Sequence, residues 1–491
     1  MKLRNLLQDN VHSLDIQGEI ENIEVKGIAN NSKDVEAGFI FVAIKGSLAD
    51  GHQFINDAVS SGAAVIVGEE TIANLSVPYL KVDDSREWLG RLASHFYDHP
   101  SERKVIVGIT GTNGKTTTSY FLKHLLQENG ISCSLIGTIQ TIINGKATPS
   151  TNTTPSSLDL HKLISQSQDE VIIVEVSSHG LDQKRLEGIQ FDLCLFTNLD
   201  HDHLDYHGTL EEYFQTKSTL FTMLKQNGLA VINDDDYWGS KLISNLKRMG
   251  QEVQSIGKSS TSTIQFTELS MDATPIFQFL DNKTQYKVQL SIPGLHNIYN
   301  CLLAFIAAKN LGVSEEKLLS SLTTFKGIEG RFERIQLIND VTVVVDYAHT
   351  ASAVGHCLRT ARQCKAKRII HLFGYRGDRD EAKREEMLRI SSELSDFYIL
   401  TMDDLNTESS EEMIRKLQML KKDTGKDNGC FIPDRTLAIK EAIAMSQKGD
   451  WVVITGKGHE SYQQSFYLPT NSDRETIDYF DENLKEKISN W

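Results

Sequence analysis

One stretch of the chain has the residue types and the spacing of a phosphate-binding loop. An apolar run, Val105 to Ile109, is followed by the glycine-rich turn Gly111 to Gly114 and then by Lys115 and Thr116. Glycines let backbone N–H groups approach phosphates, the lysine reaches the outer phosphates, and a threonine hydroxyl can ligate magnesium. The strict G-x-x-x-x-G-K-[ST] pattern is not met, because the fifth residue before Gly114 is Ile109. The stretch predicts a nucleoside triphosphate site, with a glycine-rich surface turn as the alternative.

A second stretch is dense in acids and histidines and is typical of a metal site beside phosphates. It runs from Thr197 to His207 and includes Asp202, His203 and Asp205 as possible ligands. Magnesium prefers oxygen ligands but tolerates an imidazole. The alternative is a polar loop whose histidines make only local hydrogen bonds. Glu175, which ends another apolar run, is predicted to lie at the same edge of the sheet.

These residues need strands and helices to position them, and the apolar runs predict an α/β protein. The run before the phosphate loop is interpreted as a buried strand, and the segment after it as a helix to about Asn129. Similar runs recur along the chain, separated by helix-length segments, which indicates mostly parallel sheets covered on both faces. The expected domains are a small N-terminal α/β domain, 1–97, a central ATP-binding domain, 98–330, and a C-terminal doubly wound, Rossmann-like domain, 331–491.

Composition excludes several other classes of protein. A formal net charge of −15 argues against a protein that coats nucleic acid, since phosphate backbones demand a basic surface. The six cysteines are scattered without C-x-x-C pairs, which indicates reduced thiols in a cytoplasmic protein. We find no signal peptide and no apolar run of about 18 residues, so membrane insertion is not expected.

Six motifs occur in order along the chain and together resemble the ATP-dependent Mur ligases, of the MurE type. They are Thr110-Gly-Thr-Asn-Gly-Lys-Thr116, Glu175-Val-Ser-Ser-His179, Thr197-Asn-Leu-x-x-Asp-His-Leu-Asp-Tyr-His207, Gly330-Arg-Phe-Glu333, Asp346-Tyr-Ala-His-Thr350 and Gly456-Lys-Gly-His-Glu460. The resemblance covers essentially the whole chain. It implies three domains, which hold a uridine nucleotide, ATP and an incoming amino acid in turn.

The resemblance also implies a reaction. The γ-phosphate of ATP passes to the terminal carboxylate of UDP-N-acetylmuramoyl-L-Ala-D-Glu, and the amino group of a free amino acid then displaces phosphate from the acyl phosphate. Such chemistry depends mainly on positioning and on neutralising negative charge. The resemblance implies ATP and Mg²⁺ as cofactors, and we expect a monomer. The catalytic residues that it implies are Lys115, Glu175, His203 and Lys217.

Individual roles follow from the positions that match the motifs. The implied ATP-binding residues are Gly111, Thr112, Asn113, Gly114, Lys115, Thr116, Thr117, Asn297, Arg331 and Asp346. The implied magnesium ligands are Thr116, Glu175, His203 and a carbamylated Lys217. Without the family, Lys217 would be interpreted as a surface lysine on a helix. Since Arg331 and Asp346 come from the third domain, that domain is expected to close over ATP.

The resemblance likewise assigns residues to the two other substrates. Those implied for the UDP-muramoyl dipeptide are Ser32, Thr153, Thr154, Ser177 and Arg185. Those implied for the amino acid are Asp403, Asn406, Gly456 and Glu460. Lys33 stands where an arginine is common, so a forked contact to the uridine nucleotide is lost there. Ala351 replaces a common proline, which predicts a looser turn.

The third domain departs from the family in a motif that selects the amino acid. Enzymes of this type that use diaminopimelate carry Asp-Asn-Pro-Arg, whose arginine binds the distal carboxylate, whereas here the stretch is Asp403-Asp404-Leu405-Asn406. One interpretation, which we favour on the sequence alone, is a diamino acid without a second carboxylate. Another is that Arg376 or Arg379 supplies the missing guanidinium, and a third is an atypical acceptor.

Three rival functions are weighed at the level of sequence. Folylpolyglutamate synthetases share the ATP fold and the acyl-phosphate chemistry but lack the first domain, where Asp50-Gly51-His52 lies. A degenerate paralogue that binds the nucleotide precursor without turnover is disfavoured by the intact catalytic set. A plain P-loop kinase would not need two further substrate-binding domains.

Overall fold

The N-terminal segment forms a five-stranded sheet in the computed structural model, which describes residues 1–7, 15–17, 20, 22–46, 49–281, 283–378 and 381–489. The strands are β1 (Asp15–Gln17), β2 (Gly27–Ala29), β3 (Phe39–Val42), β4 (Val65–Gly68) and β5 (Tyr79–Lys81), and the helices are α1 (Leu3–Leu7), α2 (Ile55–Ser60) and α3 (Ser85–Phe96). The strand order is β1-β5-β4-β3-β2, parallel except at β1. Successive side chains of a strand point to opposite faces, so Ile40 and Val42 pack with α3 while Phe41 packs with α2.

The middle of the chain carries the phosphate loop and alternates strands with helices. Its strands are β6 (Val105–Thr110), β7 (Cys133–Ile136), β8 (Gln140–Ile143), β9 (Lys146–Pro149), β10 (Val171–Glu175), β11 (Phe191–Phe196), β12 (Leu224–Asn233), β13 (Val253–Gly257), β14 (Ile264–Ser270), β15 (Ile276–Asp281) and β16 (Thr284–Gln289). Its helices are α4 (Lys115–Glu128), α5 (Ser157–Gln166), α6 (Ser178–Asp182), α7 (Leu204–His207), α8 (Leu210–Ser218), α9 (Tyr237–Arg248), α10 (Leu295–Asn310) and α11 (Glu315–Leu322). Every residue of β10 is buried, as expected of a parallel strand covered on both faces.

The C-terminal segment forms a six-stranded sheet with helices on both faces. Its strands are β17 (Glu333–Gln336), β18 (Thr342–Asp346), β19 (Ile369–Tyr375), β20 (Phe397–Met402), β21 (Gly429–Phe431) and β22 (Trp451–Thr455), and its helices are α12 (Ala351–Gln363), α13 (Ala382–Leu394), α14 (Ser410–Thr424), α15 (Arg435–Ala444) and α16 (Asp473–Ser489). The order is β17-β18-β22-β19-β20-β21, parallel except at β17. Ligands of such sheets bind beyond the carboxyl ends of the strands, where the strand order reverses.

By internal contacts the chain divides into two compact units. Unit 1 comprises Met1–Thr110, Ile131–Leu195 and Thr216–Ala230, and unit 2 comprises Gly111–Gly130, Phe196–Gln215 and Val231–Trp491. Unit 1 holds the N-terminal sheet and strands in the order β11-β6-β10-β7-β8-β9. Unit 2 holds β16-β15-β14-β13 and the C-terminal sheet.

The observed elements confirm the predicted α/β class with parallel-rich sheets. The strand and helix that flank the phosphate loop end at Thr110 and Glu128, within one residue of the prediction. The sheet of the middle segment differs in that two antiparallel hairpins extend it, β8–β9 and β15–β16. The first turns through Asn144 and Gly145, both with positive φ, which is the geometry of a two-residue hairpin turn.

Candidate active site

The phosphate loop adopts a backbone that only glycine fits at its last turn before α4. Gly114 has a φ of 87°, and a Cβ atom there would lie 2.4 Å from the amide oxygen of Asn300. Gly111, with a φ of 146°, would place a Cβ atom 1.9 Å from the hydroxyl of Thr197. The loop therefore needs glycine both for its conformation and for the close approach of its neighbours.

Side chains from the end of β11 hold the loop in this shape. The amide of Asn198 accepts a hydrogen bond from the Asn113 N–H at 3.0 Å and donates one to the Asn113 carbonyl at 3.0 Å. The hydroxyl of Thr197 donates to the same carbonyl at 2.6 Å. Lys115 Nζ lies against the loop and donates to the carbonyls of Gly111 and Thr112 at 2.8 and 3.0 Å. The cation that would contact the outer phosphates is thus held at the N-terminus of α4.

The remaining nucleotide residues of the prediction lie around the first turns of α4. Arg331 Nη2 donates to the hydroxyl of Thr116 at 3.2 Å. Asn297 on α10 accepts from Asn300, which in turn accepts from the hydroxyl of Thr118 at 3.3 Å. Asp346 accepts from the backbone N–H groups of Phe332 and Ala348, each at 2.6 Å, and so orders the segment that carries Arg331. Thr112 and Thr117 are buried in the same region, each 8% exposed.

In unit 1, the predicted glutamate and the predicted dipeptide residues form one hydrogen-bonded cluster. The carboxylate of Glu175 is fully buried and accepts from the hydroxyl of Thr138 at 2.8 Å, and Thr138 also lies 3.1 Å from the hydroxyl of Thr153. The hydroxyl of Thr154 donates to the Glu175 carbonyl at 2.9 Å and lies 3.1 Å from that of Ser177. Arg185 donates to the Thr154 carbonyl at 2.7 Å.

The acidic stretch after β11 separates into residues with different surroundings. Asp202 is 3% exposed and pairs with Lys383 at 3.1 Å and with His349 at 3.4 Å. Burial alone would raise the pKa of Asp202, but hydrogen bonding to His349 and the charges of His349 and Lys383 hold it well below its usual range. Asp205 is exposed, whereas His203 is about one-third exposed and adopts a left-handed conformation with a φ of 56°.

Lys217 is a buried residue, with only 1% of its surface exposed. It lies in the last turn of α8. The interpretation as a surface lysine, which the sequence favoured without the family, is therefore wrong. Glu175 and Lys217 belong to unit 1, while Thr116 and His203 belong to unit 2.

Beyond the carboxyl ends of β19, β20 and β22 lies a cluster of alternating charges (Arg376, Asp403, Asp404, Lys457 and Glu460), which we call the acceptor pocket after the role that the sequence predicts for Asp403 and Glu460. Lys457 Nζ lies 2.5 Å from an oxygen of Asp404 and 3.7 Å from one of Asp403, and all three side chains are buried. Arg376 forms an ion pair with Glu460, and its Nε lies 3.6 Å from Asp403. Burial would lower the pKa of the Arg376 guanidinium, but Asp403 and Glu460 raise it above its ordinary value, so the side chain stays charged.

Three sequence profiles match the chain in succession. The Mur ligase family catalytic domain matches residues 24–97, the Mur ligase middle domain 109–308, and the Mur ligase glutamate ligase domain 330–458. The UDP-N-acetylmuramoyl-L-alanyl-D-glutamate–2,6-diaminopimelate ligase of Fusobacterium nucleatum is 41% identical over 444 residues, which are 89% of each chain. The chain belongs to the Mur ligase family.

Solved structures of Mur ligases share this fold. A UDP-N-acetylmuramoyl-L-alanyl-D-glutamate–2,6-diaminopimelate ligase superposes with a TM-score of 0.69 and 29% identity over 98% of this chain and 99% of the other. The MurF ligase of Thermotoga maritima in complex with ADP superposes with a TM-score of 0.67 and 21% identity, over 95% and 100% of the two chains. The predicted family, the three-domain α/β class and the ATP-dependent, amide-forming type of enzyme are confirmed.

The Mur ligase motifs account for most of the site but leave several contributors unassigned. Asn300, Thr138 and Lys457 contact Gly114, Glu175 and Asp404 in turn, and none of the three was assigned a role from the sequence. Asn300 lies three residues after Asn297 on α10, so helical spacing alone places the two on one face. Lys457 stands inside the Gly456-Lys-Gly-His-Glu460 motif, whereas Thr138 carries no such signal, because its role depends on elements that meet only in the folded protein.

Ser32 and the Asp50-Gly51-His52 stretch lie far from these clusters along the chain. Ser32 begins a 3-10 helix, Ser32–Asp34, directly after β2, and the exposed Lys33 donates its backbone N–H to Asn31. Asp50 accepts from both the backbone and the ring of His52, whose other ring nitrogen accepts from the Glu69 N–H at 2.9 Å. His52 is therefore a structural residue with both ring nitrogens engaged.

Within the described ranges, none of the helices is long and apolar enough to cross a membrane.

Proposed function

We propose that this Mur ligase adds a diamino acid to the D-glutamyl carboxylate of UDP-N-acetylmuramoyl-L-Ala-D-Glu, with conversion of ATP to ADP and phosphate. The observation that carries this proposal is that the phosphate loop and the acceptor pocket both lie in unit 2. A short series of side-chain contacts connects the two. Arg331 contacts Thr116 of the loop, and its guanidinium carbon lies 4.5 Å from the ring centre of Tyr347. The Tyr347 hydroxyl donates to Glu460 of the acceptor pocket at 3.1 Å.

The residues of the phosphate loop suit transfer of a phosphoryl group to a carboxylate. A carboxylate is a poor electrophile at neutral pH, so its oxygen must first take the γ-phosphoryl group. Lys115, the loop N–H groups and Arg331 would neutralise the negative charge that is shared by the phosphates during transfer. The amine of the acceptor then attacks the acyl carbon, the new C–N bond forms, and inorganic phosphate leaves with the bonding electrons.

We propose Thr116, Glu175, His203 and a carbamylated Lys217 as magnesium ligands, each by its match to the family motifs. The donor set fits this ion, since a hydroxyl, a carboxylate, an imidazole and a carbamate supply mostly hard oxygen atoms. The complete burial of Glu175 and Lys217 also fits residues that serve a charged centre rather than the surface. When bound, magnesium would offset the charge of the phosphates and of the substrate carboxylate.

The same proposal extends to the organisation of the chain. We place the uridine-nucleotide domain at 1–97, with Ser32 as a contact, the ATP domain at 98–330, and the amino-acid domain at 331–491. Thr153, Thr154, Ser177 and Arg185 would hold the muramoyl dipeptide, and their mutual hydrogen bonds beside Glu175 support a shared surface. We expect a cytoplasmic monomer, in keeping with six cysteines that form no disulfide.

Phosphate release from ATP tests the proposed function. The protein is incubated with UDP-N-acetylmuramoyl-L-Ala-D-Glu and with meso-diaminopimelate, L-lysine, L-ornithine, L-diaminobutyrate or L-alanine. We expect release that requires both the nucleotide precursor and a diamino acid, and that disappears in Lys115→Ala. No release with any acceptor would contradict the proposal and favour a paralogue that binds the precursor without turnover.

A further inference from the structure

The position that carries arginine in diaminopimelate-adding relatives has a structural role in this chain. Asn406 Nδ2 donates to the Gly377 carbonyl at 2.6 Å. Thr407 donates its backbone N–H and its hydroxyl to Asp378 at 2.8 and 2.6 Å, and the Gly377 N–H donates to the Asp404 carbonyl at 3.0 Å. The segment after β20 therefore holds the turn after β19 in place, and that turn begins with Arg376.

The turn positions the Arg376 guanidinium in the acceptor pocket. Its side chain is 22% exposed, pairs with Glu460 and lies 3.6 Å from Asp403. A guanidinium has five N–H donors arranged in a planar fork, so contact with one carboxylate leaves donors to bind a second. The partial exposure leaves this side chain accessible to a ligand that enters the pocket.

We propose that Arg376 binds the distal carboxylate of the acceptor while Glu460 binds its distal ammonium, which makes the acceptor a diamino dicarboxylic acid of the diaminopimelate class. This inference rests on the proposed function. The distal end of such an acid carries an ammonium and a carboxylate on one carbon. Arg376 and Glu460 present the complementary pair of charges at one place in the pocket. On binding, the ligand carboxylate accepts from the guanidinium N–H donors that Glu460 leaves available, and the ligand ammonium donates to Glu460.

The same pair disfavours an acceptor that ends in an ammonium alone. A lysine side chain would bring a second cation to Glu460 and supply no anion for Arg376. Asp403, the other carboxylate near Arg376, also lies 3.7 Å from Lys457. The positive charge of Arg376 would then be incompletely neutralised, in a pocket where water screens charges only weakly. Arg376 therefore selects for a second carboxylate, although Asn406 removes the charge that relatives use for that purpose.

The central test compares Arg376→Met with the wild-type protein on meso-diaminopimelate and on L-lysine. We expect kcat/KM for diaminopimelate to fall by about 10- to 100-fold, mainly through KM for the acceptor, because a charge-assisted forked contact is lost. KM for ATP should stay unchanged, and kcat/KM for lysine should rise, since Glu460 no longer has a competing cation. Arg376→Lys, which keeps the charge without the fork, should fall between the two proteins.

Further variants separate a binding role from a structural one. Arg415→Met, on the solvent side of α14, is the matched control and should leave both acceptors unaffected. Arg376→Gly combined with Asn406→Arg returns the guanidinium to the position of the family motif and should recover diaminopimelate turnover relative to Arg376→Gly alone. Recovery by this transfer would not occur if Arg376 only stabilised the turn.

The outcomes distinguish failure of this inference from failure of the proposed function. Wild-type turnover with lysine but not with diaminopimelate would uphold the ligase function and overturn the role of Arg376. An unchanged KM for diaminopimelate in Arg376→Met would do the same. Arg379 lies outside the described residues. If Arg379→Met lost diaminopimelate turnover while Arg376→Met kept it, the inference about Arg376 would also be overturned. Absence of turnover with every acceptor would overturn both proposals.

Discussion

Tyr347 contacts both Arg331 and Glu460 within unit 2. Its ring lies beneath the guanidinium of Arg331, and its hydroxyl donates to Glu460. Burial and the nearby charge of Glu460 raise the pKa of Tyr347 to about 12, so the hydroxyl keeps its proton at physiological pH. The ring of Tyr347 therefore supports the arginine that we propose for ATP, and its hydroxyl supports the glutamate that we propose for the acceptor.

Because the ring and the hydroxyl of Tyr347 have different partners, we expect two substitutions at this position to have different effects. Tyr347→Phe keeps the ring beneath Arg331 but removes the hydrogen bond to Glu460, so we expect KM for the acceptor to rise about 3- to 10-fold while KM for ATP is unchanged. Tyr347→Leu removes both contacts and should raise both constants. Initial-rate kinetics with each substrate varied in turn measure the difference.

A control for this pair is available elsewhere in the chain. Tyr286→Phe removes another hydrogen bond between a tyrosine and a glutamate, the one to Glu315, far along the chain from the acceptor pocket. Neither KM should change in that variant. Equal increases in both constants for Tyr347→Phe would show that the hydroxyl acts on the fold as a whole, contrary to our expectation.

Helix α12 shows how a departure from the family motif is accommodated within an element. Ala351 was expected to loosen the turn before this helix because it replaces a common proline. In the structure Ala351 is the first helical residue, and the Thr350 side chain caps the helix by accepting from the Ala353 N–H at 3.3 Å. Thr350 itself is extended, with φ −119° and ψ 155°, a conformation that proline permits in the residue before it.

The geometry of α12 therefore predicts that proline is tolerated at one position and not at another. Ala351→Pro should raise the free energy of unfolding by about 0.4–1 kcal/mol, because it restricts the unfolded chain and removes no helical hydrogen bond. Ala353→Pro should instead lower it by about 1 kcal/mol or more, since it deletes the N–H that Thr350 accepts from. Urea denaturation of the two variants beside the wild type measures both values, and a loss of stability in Ala351→Pro would contradict the expectation.

The sequence predicted elements best where one local signal sufficed. Continuous apolar runs marked β6, β10 and β22 because strands buried on both faces need apolar side chains throughout. The hairpin β8–β9 was missed, although Asn144-Gly145 is a strong turn signal, because its strands are short and every residue of β9 is exposed. A strand without a buried face leaves no periodicity in the sequence.

For the candidate site, the sequence could not predict which residues from distant parts of the chain contact each other. Five of the six motifs begin at the end of a strand, and the carboxyl ends of parallel strands gather at one edge of a sheet, so the sequence could place several motif residues near one another. The partners of these residues were not predicted: Asn300 lies 186 positions after Gly114, and Lys383 lies 181 positions after Asp202. Such pairs depend on the register of the whole fold, to which a single sequence gives no direct access.

The buried histidines make the stability of the complete fold depend on pH. His371 is fully buried between the hydroxyls of Ser391 and Thr455, at 2.7 and 3.0 Å, and burial lowers its pKa to about 3. Burial likewise lowers the pKa of His296 to about 3 and that of His161 to about 4. Each of these residues is neutral in the folded protein at pH values where the unfolded chain, with a pKa of about 6.5, binds a proton.

The sign of the effect follows from which state binds more protons. Between about pH 6.5 and about pH 4 the unfolded state binds up to three more protons at these histidines, so the free energy of unfolding falls as the pH falls. Asp236 acts in the opposite direction, because burial raises its pKa to about 6 and the folded state then binds the extra proton. Three histidines outweigh one aspartate, so the protein should weaken on acidification well before its surface carboxylates titrate.

His371 provides the decisive measurement of this effect. Its replacement by Gln or by Leu should reduce the slope of unfolding free energy against pH by up to about 1.4 kcal/mol per pH unit between pH 6 and pH 4, which corresponds to one proton. Gln can keep the contacts with Ser391 and Thr455 while Leu cannot, so the two variants should differ in stability at pH 8 yet share the same flatter slope. Urea denaturation at pH 8, 6, 5 and 4.5 separates the two quantities. A wild-type slope in both variants would mean that His371 is protonated in the folded protein, and its charge would then have to be stabilised by the surrounding hydroxyls and the stacked ring of Phe373.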